Sequence, residues 1–260
     1  DEIKLRRSAG QIELASQLLT AFPIETLSLE NQVKLNDEIQ NLKQQVLVVG
    51  EITQALQSQV QKLAEPDQQV VAAVIQEIAD QVDLDSVIRF SDFQRLRKDP
   101  SIPAENLVAY ALGGWLLGAG SGIDNFAVAK SLLRVRGLVR EYLSSADEQR
   151  RQQILQELQG EEGAQPDRLD KLLEIMQPPL AVPEHQADDP PGLLRIATAQ
   201  PGQESVPYVV QLPPEYDPNR KYPCVLALPG RGQPPEIEID WWCGINIPLG
   251  EQLYRFGQAT

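Results

Sequence analysis

From about residue 11 to about residue 177, apolar residues recur at spacings of three and four, and Gly and Pro fall mainly in the breaks. That period is the signature of successive amphipathic helices. The clearest of them carries Leu35, Ile39, Leu42, Val46, Val49, Ile52, Leu56, Val60 and Leu63 as one unbroken apolar seam. A seam of this kind needs a partner helix, supplied either by the same bundle or by a second chain, so helix–helix self-association stays open. Further helices are predicted over residues 68–82, 86–97, 103–117, 124–143, 147–158 and 166–176. In the last of these, Leu169, Leu172, Leu173 and Met176 share a face, and Pro178-Pro179 ends the helix because proline cannot continue its hydrogen-bond ladder.

Between Pro178 and Gly192 five of fifteen residues are proline, a composition that favours extended backbone over helix or sheet. The period then changes. Leu193–Ala197, Tyr208–Leu212 and Cys224–Leu228 are short runs rich in Val, Ile and Tyr, separated by Pro, Gly, Asn and Asp, and read as strands. Leu249–Phe256 reads as the start of a helix. The expected organisation is multidomain: an all-α helical bundle over 1–177, a Pro-rich linker over 178–192, and an incomplete, β-rich segment over 193–260.

Composition narrows the function classes. With 42% hydrophobic residues in 260, the chain can build real cores. Its formal net charge of −14 opposes binding to nucleic acid, which depends on clustered Lys and Arg. The longest apolar stretch, Leu107 to Leu117, is well short of the roughly 20 residues that span a bilayer. Two cysteines, Cys224 and Cys243, are too few for a disulfide scaffold and lack metal-ligand spacing. They leave the compartment open, an extracytoplasmic setting in a bacterium included. Asp1 is preceded by no charged-then-apolar leader, as expected if a targeting segment was removed or the chain is an excerpt.

The stretch richest in chemistry runs from Val206 to Gly232. It predicts a strand, a turn forced by Pro213-Pro214 and Asp217-Pro218, a second apolar strand, and the Gly-containing loop Leu228-Pro229-Gly230-Arg231-Gly232. This stretch resembles the opening of the catalytic domain in α/β-hydrolases of the prolyl-oligopeptidase and esterase type. There a strand ending Leu-Pro-Pro-Gly-Tyr-Asp leads through Lys-Tyr-Pro into an apolar strand and a Leu-His-Gly-Gly-Gly loop. The matching residues are Leu212 to Asp217, Lys221 to Pro223 and Leu228 to Gly232.

The resemblance implies an α/β-hydrolase-like domain acting on an ester or peptide bond through a serine acyl-enzyme. In that family the loop donates a backbone N–H to the oxyanion, a donor whose removal costs about 3–4 kcal/mol of barrier. The candidates are Gly230, Arg231 and Gly232, with Arg231 first. Pro229 stands where the family usually has histidine. No Gly-x-Ser-x-Gly occurs, so this chain is expected to be the non-catalytic N-terminal portion of a longer hydrolase, and no catalytic residue is assigned within it. No metal or organic cofactor is implied. The helices also look similar to regions preceding such esterase-like domains in large bacterial proteins, over 107–118 and 135–143.

Other chemistry-bearing residues have plainer readings. Ser121, in Gly118-Ala-Gly-Ser-Gly122, lies in a break between two helices. His185, the only histidine, falls in the linker, ahead of the strands. Trp241 and Trp242 could line a substrate pocket, or pack the module interface or a core. Lys130, Arg134, Arg136 and Arg140 spread around one helix and suggest a solvated or salt-bridged surface. The alternative function is a helical interaction or scaffolding protein, with the seam binding a partner helix and the β-rich segment a non-catalytic appendage.

Overall fold

The computed structural model describes residues 2–21, 23–84, 86–177, 179, 189–190, 192–197, 206–217, 220, 222–244, 247–249 and 252–254; the side chains of 2, 20–21, 45–46, 247–249 and 252–254 are outside this description. The elements are α1 (Glu2–Ser8), α2 (Ile12–Ala21), α3 (Leu29–Val60), α4 (Glu65–Gln81), α5 (Ser91–Leu96), α6 (Ala104–Leu117), α7 (Phe126–Ser144), α8 (Glu148–Gln159) and α9 (Pro166–Ile175), then β1 (Leu193–Ala197), β2 (Pro207–Gln211), α10 (Pro235–Cys243), β3 (Ile247–Leu249) and β4 (Gln252–Tyr254). Two compact units result: residues 27–180, and residues 1–26 together with 181–260. The sequence places residues 1–26 with the helical module, whereas their contacts place them with the C-terminal segment.

In the unit 27–180, α6 is the hub. Ten of its residues, among them Leu107, Val108, Leu112, Trp115 and Leu116, are buried, as expected of a helix that is apolar all round. Helices α3, α5, α7 and α9 pack against it. Two glycines permit that closeness. A Cβ on Gly114 would stand 2.0 Å from the carbonyl oxygen of Arg89, and one on Gly113 would meet the Ile123 side chain at 2.7 Å.

The seam of α3 divides along its length. Ile52, Leu56, Val60 and Leu63 are in the core, with Val49 packed against it, while Leu35 and Ile39 are only half-buried. The side chain of Val46 lies outside the described residues. Helix α7 starts where Asn125 accepts from the N–H groups of Ala127 (2.8 Å) and Val128 (3.3 Å), and α8 where Asp147 accepts from Gln149 (2.9 Å). These caps satisfy donors that a helix start leaves unpaired.

Polar clasps finish the bundle. Arg136 of α7 binds Glu77 of α4 through both terminal nitrogens (2.8 and 2.5 Å), and Trp115 Nε1 of α6 donates to the same carboxylate at 3.3 Å. Lys130 pairs with Asp67 at 2.7 Å and Arg134 with Glu161 at 3.1 Å, in keeping with the salt-bridged reading of this helix. Arg150 joins Glu141 and Glu157, and its hydrogen bonds hold the Glu141 carboxyl below its ordinary range.

Three sequence expectations change. The helix expected over 86–97 is a 3-10 turn, Val87–Phe90, followed by the short α5. Leu249–Phe256 does not open a helix: β3 and β4 form an antiparallel hairpin, Ile247 opposite Tyr254 and Leu249 opposite Gln252. Cys224–Leu228 forms no strand. Among the described residues the only sheets are two two-stranded antiparallel pairs, β1–β2 and β3–β4, so the protein is mainly helical and no hydrolase sheet is assembled. Among the same residues, no helix is long and apolar enough to cross a membrane.

The contact at Gly114 makes a direct prediction. Gly114→Ala should destabilise the chain by about 3 kcal/mol or more, because a methyl group must displace main chain. Gly50→Ala, in α3 with nothing within 4 Å of its would-be Cβ, should stabilise it by about 0.5–1 kcal/mol. Urea unfolding followed by far-UV circular dichroism reads both, and a Gly114→Ala variant as stable as wild type would contradict the packing.

Candidate functional site

The residues that could carry chemistry lie in the C-terminal part, built on β1 and β2. Gly192 enters β1 at φ +81°, where its lack of a Cβ lets it approach the Leu212 carbonyl; its own carbonyl accepts from the Leu212 N–H at 2.9 Å. The strands pair antiparallel from Leu193 opposite Gln211 to Ala197 opposite Pro207. Beyond β2 the chain turns through Pro213-Pro214-Glu215. Asp217 N–H donates to the Tyr222 hydroxyl at 3.0 Å and the Tyr216 and Tyr222 rings lie 5.2 Å apart. This closes the turn that the Pro-Pro and Asp-Pro pairs predict.

Residues 224–226 and 228 follow with exposed side chains, and Ala227 is half-buried. Val225 is 64% exposed, Leu226 84% and Leu228 81%. Three large apolar side chains of this run are therefore left in contact with water. The loop after it is a tight turn: the Gln233 N–H donates to the Gly230 carbonyl at 2.9 Å, with Arg231 and Gly232 at the corner and Gly232 at φ +78°. A positive φ at the third position is the type II arrangement, for which glycine is suited. Among the described residues, neither the Arg231 nor the Gly232 N–H meets a backbone acceptor.

Helix α10 starts immediately after this turn, with Pro235 in its first turn beside Glu236 and Glu238, which complement the positive end of the helix dipole. It packs on β2. Arg195 of β1 reaches Glu236 and also binds Asp189 at 3.1 Å; these two carboxylates, Asp189 first, raise the guanidinium above its ordinary range. The sequence reading leaves α10 as a loop.

Trp241 and Trp242 sit in its last turn as an edge-to-face pair, ring centroids 5.0 Å apart, both exposed. They are not core residues. Six helical positions separate Pro235 from Trp241, roughly 9 Å of axis, so the loop Gly230–Gly232 and the tryptophans lie at opposite ends of one helix.

Ser121 belongs to the other unit, in the α6–α7 connection, where Gly118, Gly120 and Gly122 all adopt positive φ. It is a helix break, as its context suggests. His185 lies outside the described residues. Cys224 is exposed and Cys243 half-buried. Among the described residues no group of three or more His, Cys, Asp or Glu could hold a metal ion. The sequence reading misses Glu215, which stands where the resembled motif has glycine and whose φ of +52° is what that glycine would otherwise serve.

Comparison of the chain with protein-family models, with curated proteins and with solved structures returns no match.

The tryptophan placement is open to test because only three tryptophans occur. In Trp115→Phe, emission comes from Trp241 and Trp242 alone and should be red-shifted and readily quenched by acrylamide. Blue-shifted, poorly quenched emission would show the pair to be covered.

Proposed function

We propose that this chain is the non-catalytic N-terminal portion of a serine hydrolase of the α/β-hydrolase type, with nucleophile, acid and histidine supplied by polypeptide outside these 260 residues. The observation that carries the reading is the apolar run 224–228, in which Val225, Leu226 and Leu228 are exposed. A continuous run of branched and aliphatic residues is the mark of a strand covered on both sides in a parallel sheet. Left alone it exposes apolar surface that a folded protein ordinarily buries. The resemblance supplies the context, since the matching run in that family is an apolar strand of the catalytic domain.

On this reading the Gly230–Gly232 turn, with the Arg231 and Gly232 N–H groups uncommitted to backbone, donates to the oxyanion formed when serine attacks an ester or peptide carbonyl. Arg231 is the leading donor, through its main chain and not its guanidinium. The exposed Trp pair would contribute apolar substrate surface from the far end of α10. No metal or cofactor is needed for that chemistry.

A second reading, an interaction or scaffolding protein, is favoured by one feature: Leu29, Val33 and Leu47 of α3 are exposed, offering an apolar surface to another helix.

The longer protein decides between them. It should label with a fluorophosphonate at one serine. Arg231→Ala, which keeps the N–H, should retain most activity, and Arg231→Pro, which deletes it, should lower kcat by about a hundredfold with little change in KM. Equal activity in two folded variants would remove Arg231 as the donor. A folded longer protein that takes no label would favour the interaction reading.

A further inference from the structure

Helix α2 begins without a cap of its own. Gln11 holds its N-cap position, where a short Ser, Thr, Asp or Asn side chain normally accepts the first free N–H groups. The Gln11 side chain is engaged elsewhere, its Nε2 donating to the Pro214 carbonyl at 3.3 Å and its Oε1 accepting from Arg6 at 3.0 Å. The free donors go to a residue about two hundred positions away. Glu13 N–H donates to Glu215 Oε2 at 2.8 Å and Leu14 N–H to Oε1 at 2.7 Å.

The other side of the hairpin is held in the same fashion with the opposite charge. Ser8 is the last residue of α1, and its carbonyl accepts from Arg220 Nη2 at 2.6 Å. One short segment, 214–220, thus presents a carboxylate to the positive end of α2 and a guanidinium to the negative end of α1, each matched to its helix dipole. Gly10, at φ +73°, makes the bend that brings the two helix ends side by side. Leu14, Ala15 and Leu19 are buried, so the hairpin is packed as well as tethered. Glu215 holds its grip from a φ of +52°, a conformation that a side chain rarely adopts unless its surroundings impose it.

We propose that the α1–α2 hairpin is a strap and that the 214–220 turn is its receptor, with Glu215 and Arg220 as positioning residues. The strap belongs to the unit formed by 181–260, and the helical unit 27–180 is inserted in the chain between the strap and its receptor. Local opening of the strap therefore breaks a few charge-assisted hydrogen bonds and uncovers Leu14, Ala15 and Leu19. None of this depends on the hydrolase reading.

Residue-resolved amide exchange by NMR on the whole chain tests it. First-turn helix amides are ordinarily open to water; those of Glu13 and Leu14 should be protected in wild type. Glu215→Ala should speed their exchange about tenfold, the scale of a lost helix cap, and leave α6 and α7 unchanged. Glu215→Gln, which keeps one acceptor oxygen and the side-chain length, should fall between the two and serves the same comparison should the alanine variant not fold. Equal exchange at Glu13 and Leu14 in wild type and variants would overturn the proposal, as would a loss of protection spread evenly through α6 and α7.

Discussion

At Gly114 the main chain of α6 comes so close to the Arg89 carbonyl that no Cβ fits between them. That approach puts α6 against the 87–90 turn, and the residues around it, Phe90, Phe93, Leu112 and Leu116, are almost wholly buried. Most of the helical unit is arranged about this line. Helix α7 lies along α6, and Arg136 and Trp115 converge on Glu77 so that α4 is tied to both. A helix apolar on every side has no water-facing choice, and the surrounding helices are the cover it requires.

The second unit is organised by different means. Its apolar content is spread over helices α1, α2 and α10 and two small two-stranded sheets, and specific polar contacts do much of the holding: Arg195 to Asp189 and Glu236, and Glu215 and Arg220 to the two helix ends of the strap. Two-stranded sheets are marginal by themselves. The run 224–228 leaves Val225, Leu226 and Leu228 exposed, and the proposed hydrolase context is one that would cover them.

What the sequence discloses follows from which features are local. The period of three and four finds α3, α4 and α6 to α9 within a few residues, and the alternating runs find β1 and β2, since each reports a face that neighbouring residues share. It also assigns Leu173 to the buried face of α9, where the structure leaves it half in water. The helix start expected over Leu249–Phe256 gives way at the described positions 249 and 252–254 to the antiparallel pair β3–β4; residues 250, 251, 255 and 256 lie outside the described residues. Helix α10 is not predicted, although Pro in the first turn with following glutamates is how a helix starts. Cys224–Leu228 has strand-forming residues but forms no strand, because no partner ladder pairs with it among the described residues. The motif around Leu212 to Asp217 points to the turn; the role of Glu215 there is illegible, since its partners Glu13 and Leu14 are remote in sequence.

The most direct test of this two-unit account is hydrogen exchange read by mass spectrometry across a urea series on the intact chain. Peptides from residues 12–21 should lose protection together with those from 193–211, at lower urea than peptides from 104–144. Loss of 12–21 in step with 104–144, and apart from 193–211, would contradict it.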